Sequence, residues 1–193
     1  MADRYQRFAD LAAGAREGTD YRIRLEDRGS PVVILAPHGG YIEPETERVA
    51  EAIAGQQMSF YAFETLEPGP HGDFHITSHL FDEPRAVALV GGAQSSVAIH
   101  GRKDDGTDTV WMGGRDTVLG AAIAAALHKA GFGAERNKTL PGVHVTNICN
   151  RTKTGKGVQL ELSRALRRKL AERHDLLDTF CTAVRQAVLA RYG

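Results

Sequence analysis

Short apolar segments alternate with stretches of helical periodicity along most of the chain. Segments of strand character, either wholly apolar or alternating between apolar and polar residues, cover residues 21–26, 32–36, 58–63, 97–100, 109–112 and 158–162. Helical patterns cover residues 46–54, 84–90, 116–130 and 163–192, the last in one or two pieces. This order predicts an α/β fold, a three-layer αβα sandwich around a mixed central sheet. Because no repeat, linker or composition break interrupts it, residues 1–193 are predicted to form a single domain.

Proline and glycine mark the predicted connections. Residues 37–40 are predicted to form a turn, because a proline and two glycines directly follow a buried strand. Pro44 is expected in the first turn of the next helix. Residues 67–73 are expected to form a loop, and residues 132–156 are expected to be irregular and polar.

Charge and composition narrow the function classes. The 193 residues include 24 Lys and Arg against 24 Asp and Glu, so a general affinity for nucleic acid or for an anionic membrane is not expected. No apolar run approaches the ~20 residues that cross a bilayer, and the first residues lack the apolar core of a secretory signal. We therefore expect a cytoplasmic protein, or one released by lysis, without a membrane partner.

The two cysteines are too few for a disulfide framework or a four-cysteine metal site. Cys149 has no evident base partner in the sequence, so a buried, inert thiol is expected there instead of a nucleophile.

His38 and Glu43 are the first candidates for chemistry. His38 follows the apolar segment 32–36 and precedes Gly39 and Gly40, whose backbone freedom suits a tight reversal. Residues five apart do not share a helix face, but a strand, a glycine turn and a helix start can bring this imidazole and carboxylate together. The simpler explanation, that acidic residues favour a helix N-terminus, suffices for Glu45 and Glu47 but not for the histidine.

His100 ends another apolar strand in the same way as His38. A histidine there is commonly a hydrogen-bonded structural residue. Two imidazoles and one carboxylate, from His38, Glu43 and His100, nevertheless make a tripod that suits Zn²⁺ and leaves a fourth position for water. Zinc would make that water a nucleophile at neutral pH.

Glu161 lies in the alternating segment 158–162, on the polar face with Gln159. Burial of a carboxylate needs a partner, so Glu161 is expected to face a site or a cation, where it would act as a general base. The alternative, a solvent-facing acid on an edge strand, stays open on the sequence pattern.

Five motifs, in this order, resemble the poly-γ-glutamate hydrolase family of bacteriophages and bacteria, some of whose members have been labelled phage-related replication proteins. They are APHGGYIEPETE, HITSHLFDEP, AIHG, MGGRD and NICNRTKTGKGVQLELSRALR. The resemblance implies a zinc carboxypeptidase-like α/β fold. It also implies that His38, Glu43 and His100 bind the metal and that Glu161 is the catalytic acid/base.

Substrate-binding candidates follow from charge and from the motifs. Arg115 follows a predicted strand end, where it would clamp a substrate carboxylate or form a surface pair with Asp116. Arg164 and Arg167 lie one helical turn apart after Glu161. Arg151, with Asn150, and His75 match the family pattern; His75 is interpreted as a pocket residue in preference to a metal ligand.

The predicted function is therefore zinc-dependent hydrolysis of γ-glutamyl amide bonds, in poly-γ-glutamate. The partner would be an anionic γ-glutamyl polymer or peptide. Two alternatives remain: a zinc amidohydrolase for a small N-acyl amino acid or a cell-wall peptide, and a non-catalytic phage accessory protein. The neutral charge and the lack of a nucleic-acid-binding motif argue against the latter. The oligomeric state is not predicted.

Overall fold

The structure, a computed structural model, describes residues 3–67 and 71–193 and is built around one mixed sheet. Its strands are β1 (Tyr21–Glu26), β2 (Val32–Gly40), β3 (Ser59–Thr65), β4 (Ser95–Arg102), β5 (Val110–Gly114), β6 (Ala134–Arg136) and β7 (Val158–Ser163). In the described residues they form a seven-stranded sheet of order β1-β3-β2-β4-β7-β5-β6. Strands β3, β2, β4 and β7 are parallel, whereas β1 and β5 run antiparallel to β3 and β7. The predicted mixed sheet is confirmed.

Helices cover both faces of the sheet. They are α1 (Phe8–Gly14), α2 (Thr46–Ala54), α3 (Pro84–Gly92), α4 (Thr117–Lys129), α5 (Arg164–Glu172) and α6 (His174–Tyr192). Helices α2, α4, α5 and α6 share one buried apolar cluster with Val97 and Ile99 of β4. Helices α1 and α3 share the other cluster with Ala98. Because successive strand residues point to opposite faces, this division confirms the three-layer sandwich.

The central strands are buried on both faces, as their continuous apolar runs predict. In β2, Val32 and Ile34 pack in the α2 cluster, while Val33 and Leu35 pack in the α3 cluster.

At the end of β7, the Ser163 hydroxyl accepts a hydrogen bond from the Leu166 N–H at 3.1 Å and caps α5. Strand β7 and helix α5 are therefore joined without a loop.

Strand β2 is longer than the sequence pattern predicts, and the predicted turn at residues 37–40 is wrong. The strand continues to Gly40, with a bulge between Ala36 and Gly39 where it pairs with β3. It can do so because glycine permits close approach: a Cβ on Gly40, whose φ is +65°, would lie 2.2 Å from the Thr65 carbonyl oxygen. The chain turns only after Gly40.

Two further predictions need correction. Glu43 and Pro44 precede α2, which begins at Thr46, so neither lies in its first turn. The irregular segment 132–156 contains the short edge strand β6 and a 3₁₀ turn at Ile148–Asn150. Part of the predicted loop 67–73 lies outside the described residues.

Among the helices of the described ranges, none combines the length and the apolar character needed to cross a bilayer.

Candidate functional site

The carboxyl ends of β2, β4 and β7 open into a cavity of about 540 Å³. Parallel neighbours carry their carboxyl ends to the same sheet edge, where α/β proteins place their sites. The cavity wall includes four predicted site residues from these strands and their connections, and His75 from the segment after β3. These residues are His38, Glu43, His75, His100 and Glu161. The segment 139–144 adds a further part of the wall, beside Gln159.

The bulge in β2 determines which way His38 points. Without it, His38 would share the face of Ala36, which packs in the α2 cluster. The inserted residue turns His38 to the other face, where its ring lies against Phe81, with ring centroids 6.1 Å apart. Its Nε2 lies 2.8 Å from the Ile76 carbonyl oxygen, and its Nδ1 lies 3.2 Å from Glu43 Oε1. The strand itself therefore aims His38 into the cavity.

Glu43 lies between two imidazoles. Its Oε2 accepts a hydrogen bond from the Gly101 N–H at 2.8 Å and lies 3.5 Å from His100 Nδ1. Burial favours the neutral carboxyl, but His38 and His100 outweigh it and hold the pKa of Glu43 well below its usual range. Glu43 is therefore an anion whose Oε1 faces the His38 ring and whose Oε2 accepts a hydrogen bond from the Gly101 N–H.

His100 is buried at the end of β4, with its Nε2 3.4 Å from Ser78 Oγ. Burial lowers the pKa of this imidazole, but its hydrogen bond to Glu43 and the charges of Glu161 and Glu43 raise it above the ordinary value. The structure thus brings His38, Glu43 and His100 together around one carboxylate.

His75 contributes a second imidazole contact to His38, with ring centroids 4.2 Å apart. Its Nδ1 lies 2.7 Å from Asp3 Oδ1, and the other Asp3 oxygen accepts a hydrogen bond from the Thr77 N–H. Burial, followed by the charge of His38, lowers the pKa of His75. Asp3 therefore fixes the orientation of His75 from more than seventy residues away.

The donor set fits a zinc ion. In the described residues, one ligand atom each of His38, Glu43 and His75 lies within 4.8 Å of the others. His100 contacts Glu43 beside this group. Imidazole nitrogen and carboxylate oxygen are the ligands of catalytic zinc sites, which use three protein ligands and keep one position open. Two ligand sets are possible. Both contain His38 and Glu43, and the third ligand is either His75 or His100.

Glu161 is buried on the cavity side of β7, so the structure does not support the alternative of a solvent-facing acid. Its Oε1 accepts a hydrogen bond from Gln159 Nε2 at 2.8 Å, and Gln159 Oε1 accepts one from Asn147 Nδ2 at 3.1 Å. Burial raises the pKa of Glu161 to about 7, and the charge of His100 opposes this effect. A carboxyl group with this pKa can exchange a proton near neutral pH.

Arg115 and Arg151 do not line the cavity. Strand β5 is antiparallel to β7, so Arg115 follows it at the edge away from Glu161, and its side chain is exposed. Arg151 donates hydrogen bonds to the carbonyl oxygens of Thr146 and His79 at 2.6 and 3.2 Å. It therefore supports the cavity rim, and substrate contact by either arginine stays a prediction.

Arg164 and Arg167 line a neighbouring groove that shares Glu43 and Gly101 with the cavity. Arg164 is exposed, whereas Arg167 is buried and donates hydrogen bonds to the carbonyl oxygens of Pro44 and Leu162 at 2.6 and 3.3 Å. Asn150 lies outside the cavity wall; its Nδ2 donates to the carbonyl oxygens of Gly142 and His144 and so holds the wall segment 139–144.

Sequence reasoning missed several residues that build the cavity. Gln159 and Asn147 hold Glu161, and Asp3 holds His75. The rings of His79 and His144 contact each other at the rim, tilted by 46° with centroids 5.1 Å apart. Gln159 carried a signal, because it shares the polar face of β7 with Glu161. Asp3 and His144 carried none, since their contacts join segments far apart in the chain.

The fold and the site together define a class of protein. It is a mixed α/β sandwich with a His/Glu cluster, able to hold a metal, at the carboxyl edge of its parallel strands. Within this class, the family model for poly-gamma-glutamate hydrolase matches residues 5–192, and the chain belongs to that family. The chain is thus a member of a hydrolase family, and the resemblance seen in the sequence motifs is confirmed.

Relatives from Bacillus subtilis (strain 168) extend the comparison. UPF0714 protein YndL is 36% identical over 87% of this chain and 67% of its own length. The SPbeta prophage-derived UPF0714 protein YoqZ is 37% identical over 88% of this chain and 62% of its own length. The chain therefore spans about two thirds of these curated relatives.

Solved structures agree with the fold. A bacteriophage poly-gamma-glutamate hydrolase superposes with a TM-score of 0.94 at 29% identity, over 100% of this chain and 99% of that one. YndL, in a form described as apo and zinc-free, superposes with a TM-score of 0.92 at 31% identity over all of both chains. An N-acetylmuramoyl-L-alanine amidase from Clostridium difficile 630 shares the fold alone, at 13% identity and a TM-score of 0.51 over 82% of this chain and 95% of that one.

Proposed function

We propose that this chain is a zinc-dependent hydrolase of γ-glutamyl amide bonds, acting on poly-γ-glutamate. The observation that carries the proposal is the convergence of His38, Glu43, His100 and Glu161 on one cavity, in a chain of the poly-γ-glutamate hydrolase family. The zinc-free description of YndL supports zinc as the metal.

His38, Glu43 and His100 would hold the ion. The choice of His100 follows the family resemblance and its contact with Glu43. His75 then remains a wall residue that Asp3 orients through Nδ1. When bound, zinc supplies a Lewis acid for the scissile carbonyl and lowers the pKa of a water nucleophile.

Glu161 would move the proton. It lies in the same cavity, is held by Gln159, and is not part of the proposed ligand set. As a general base it takes the proton of the attacking water, and as a general acid it gives that proton to the leaving amine nitrogen. Because Gln159 fixes one carboxylate oxygen, the other is left to serve the proton transfer.

The test uses purified poly-γ-glutamate and the zinc-loaded chain. A fall in polymer mass, measured by size-exclusion chromatography, with new amino groups at the cleavage products, is expected. Removal of the metal with a chelator should stop the reaction, and added zinc should restore it. Polymer with esterified carboxylates should resist cleavage if the substrate is recognised by charge.

Two outcomes would replace the proposal. Release of small acyl groups or cell-wall fragments without cleavage of the polymer would assign a different amide substrate to the same site. Absence of hydrolysis by zinc-loaded protein on all three substrate classes would favour a non-catalytic role.

A further inference from the structure

A groove of about 410 Å³ adjoins the cavity on the far side of Glu43 and Gly101. Its wall includes Tyr41, Pro44, Lys103, Arg164 and Arg167. The two spaces lie side by side, and Glu43 and Gly101 line both of them.

Arg167 is a buried residue of this groove wall, held in place by hydrogen bonds. The residue is only 5% exposed, and its guanidinium lies against Gly101, where a Cβ would be 2.6 Å from Cζ. Its Nε and Nη1 donate to backbone carbonyl oxygens. Within the described residues its guanidinium forms no ion pair with a carboxylate, and Nη2 has no hydrogen-bond acceptor. The charges of Glu43, Asp104 and Glu47 act on this guanidinium, but none of these carboxylates forms an ion pair with it, so an anionic ligand would add a direct partner.

Lys103 and Arg164 add two exposed cations to the same wall. In the part of the chain that the structure describes, neither side chain forms an ion pair. The nearby acids are already engaged: Asp104 accepts a hydrogen bond from the Ala165 N–H, and Glu43 faces the imidazoles. The groove therefore presents three cationic side chains that form no ion pair within the described residues, and one anion, Glu43, on the side that adjoins the cavity.

We propose that this cationic groove is a second subsite, which holds the free carboxylates of γ-linked glutamate units that lie beyond the unit at the cleaved bond. The inference rests on the proposed function for its substrate class and adds that the substrate binds lengthwise, across both spaces. A polymer with one carboxylate per unit supplies an anion at each step along the groove. A single N-acyl amino acid would fill the cavity and leave the groove empty.

The test separates binding from hydrolysis. A fluorescein-labelled decamer of γ-linked glutamate is titrated with the zinc-loaded chain, and the fluorescence anisotropy of the decamer is measured at low salt. All proteins carry Glu161→Gln, so that the decamer is not consumed. Arg167 is itself a structural residue, so the test variant is Lys103→Gln with Arg164→Gln, both at exposed positions.

The matched control removes two cations remote from the groove, by Lys153→Gln and Lys129→Gln. Both are exposed: the Lys153 N–H donates to the Ala93 carbonyl oxygen, before the amino end of β4, and Lys129 lies at the end of α4. The test variant should bind the decamer roughly tenfold more weakly than the control, since each exposed pair contributes modestly. A decamer with amidated carboxylates should bind both proteins equally weakly.

Equal affinity of the two variants for the decamer would overturn the subsite, and so would failure of the parent protein to bind it. Failure of the proposed function looks different. In that case the wild-type chain would not hydrolyse the polymer, while the binding difference between the variants would persist.

Discussion

His100 of β4 and Glu161 of β7 are register partners on adjacent parallel strands, and both side chains line the same cavity. Adjacent strands in a sheet lie about 4.8 Å apart, so the sheet sets the spacing between these two groups. Glu43 contacts His100 from the connection after β2. The proposed metal ligand and the proposed base are thus held by separate backbones, and their roles can be separated by substitution.

Glu161→Gln should slow turnover strongly without releasing zinc. The amide keeps the size of the side chain, and its oxygen can still accept the hydrogen bond from Gln159. Loss of a general base typically costs ~10²–10⁴-fold in rate. Initial rates on poly-γ-glutamate, zinc content by elemental analysis and the thermal midpoint would be measured together.

The control for this variant is Glu135→Gln, the same substitution at an exposed position of β6. It should leave all three quantities near those of the wild type. Loss of zinc from Glu161→Gln would make Glu161 a metal ligand, and full activity would require another proton carrier.

The third metal ligand can be decided by zinc content. His38→Ala and His100→Ala should each reduce bound zinc strongly, because each removes one of three protein ligands. His75→Ala should retain the metal, since the proposed tripod does not use it. The exposed His174→Ala variant controls for loss of a histidine outside the cavity. If His75→Ala loses zinc and His100→Ala keeps it, His75 replaces His100 in the tripod.

Much of this arrangement follows from the sequence. The apolar runs predict the central strands, and chain order places His38, His100 and Glu161 at strand ends that meet at one sheet edge. The alternation of β7 separates Glu161 from the apolar core face. These inferences succeed because they depend on short-range periodicity and on the shared polarity of parallel strands.

Other features depend on contacts that periodicity does not encode. The bulge after Ala36 reverses the direction of His38, and it requires β3 beside Gly39 and Gly40. The direction of β5 is set by its pairing with β7, which places Arg115 at the edge away from Glu161. Neither the partner strand nor its direction can be read from the local pattern.

Both cysteine thiols should be unreactive in the folded protein. Burial raises the pKa of Cys149 and of Cys181 to about 12, so almost no thiolate forms at neutral pH. Addition of a disulfide reagent such as DTNB at pH 7.5 should give no fast colour change, whereas two thiols should react after denaturation in guanidinium chloride. Rapid modification of one thiol in the native protein would contradict this burial.

Gly40→Ala should destabilise the protein far more than Gly29→Ala, although both glycines have a φ of +65°. The shared positive φ costs an alanine about 1–2 kcal/mol at either position. At Gly29 a Cβ would meet nothing within 4 Å, whereas at Gly40 it would lie 2.2 Å from the Thr65 carbonyl oxygen and 2.6 Å from the Thr65 nitrogen. Both of those atoms belong to the backbone of β3, so neither can rotate away. The clash must push β2 and β3 apart at the point where the bulge orients His38.

We therefore expect Gly40→Ala to lose about 3 kcal/mol or more of unfolding free energy, against about 1 kcal/mol for Gly29→Ala. Urea unfolding of the metal-free proteins gives both values if the slopes agree. Gly40→Ala should also bind zinc more weakly, because displacement of the strand moves His38 relative to Glu43. Gly29→Ala should bind zinc as the wild type does, since its turn lies before β2. Equal stability losses and equal zinc binding in the two variants would show that the close approach of Gly40 to Thr65 does not position His38.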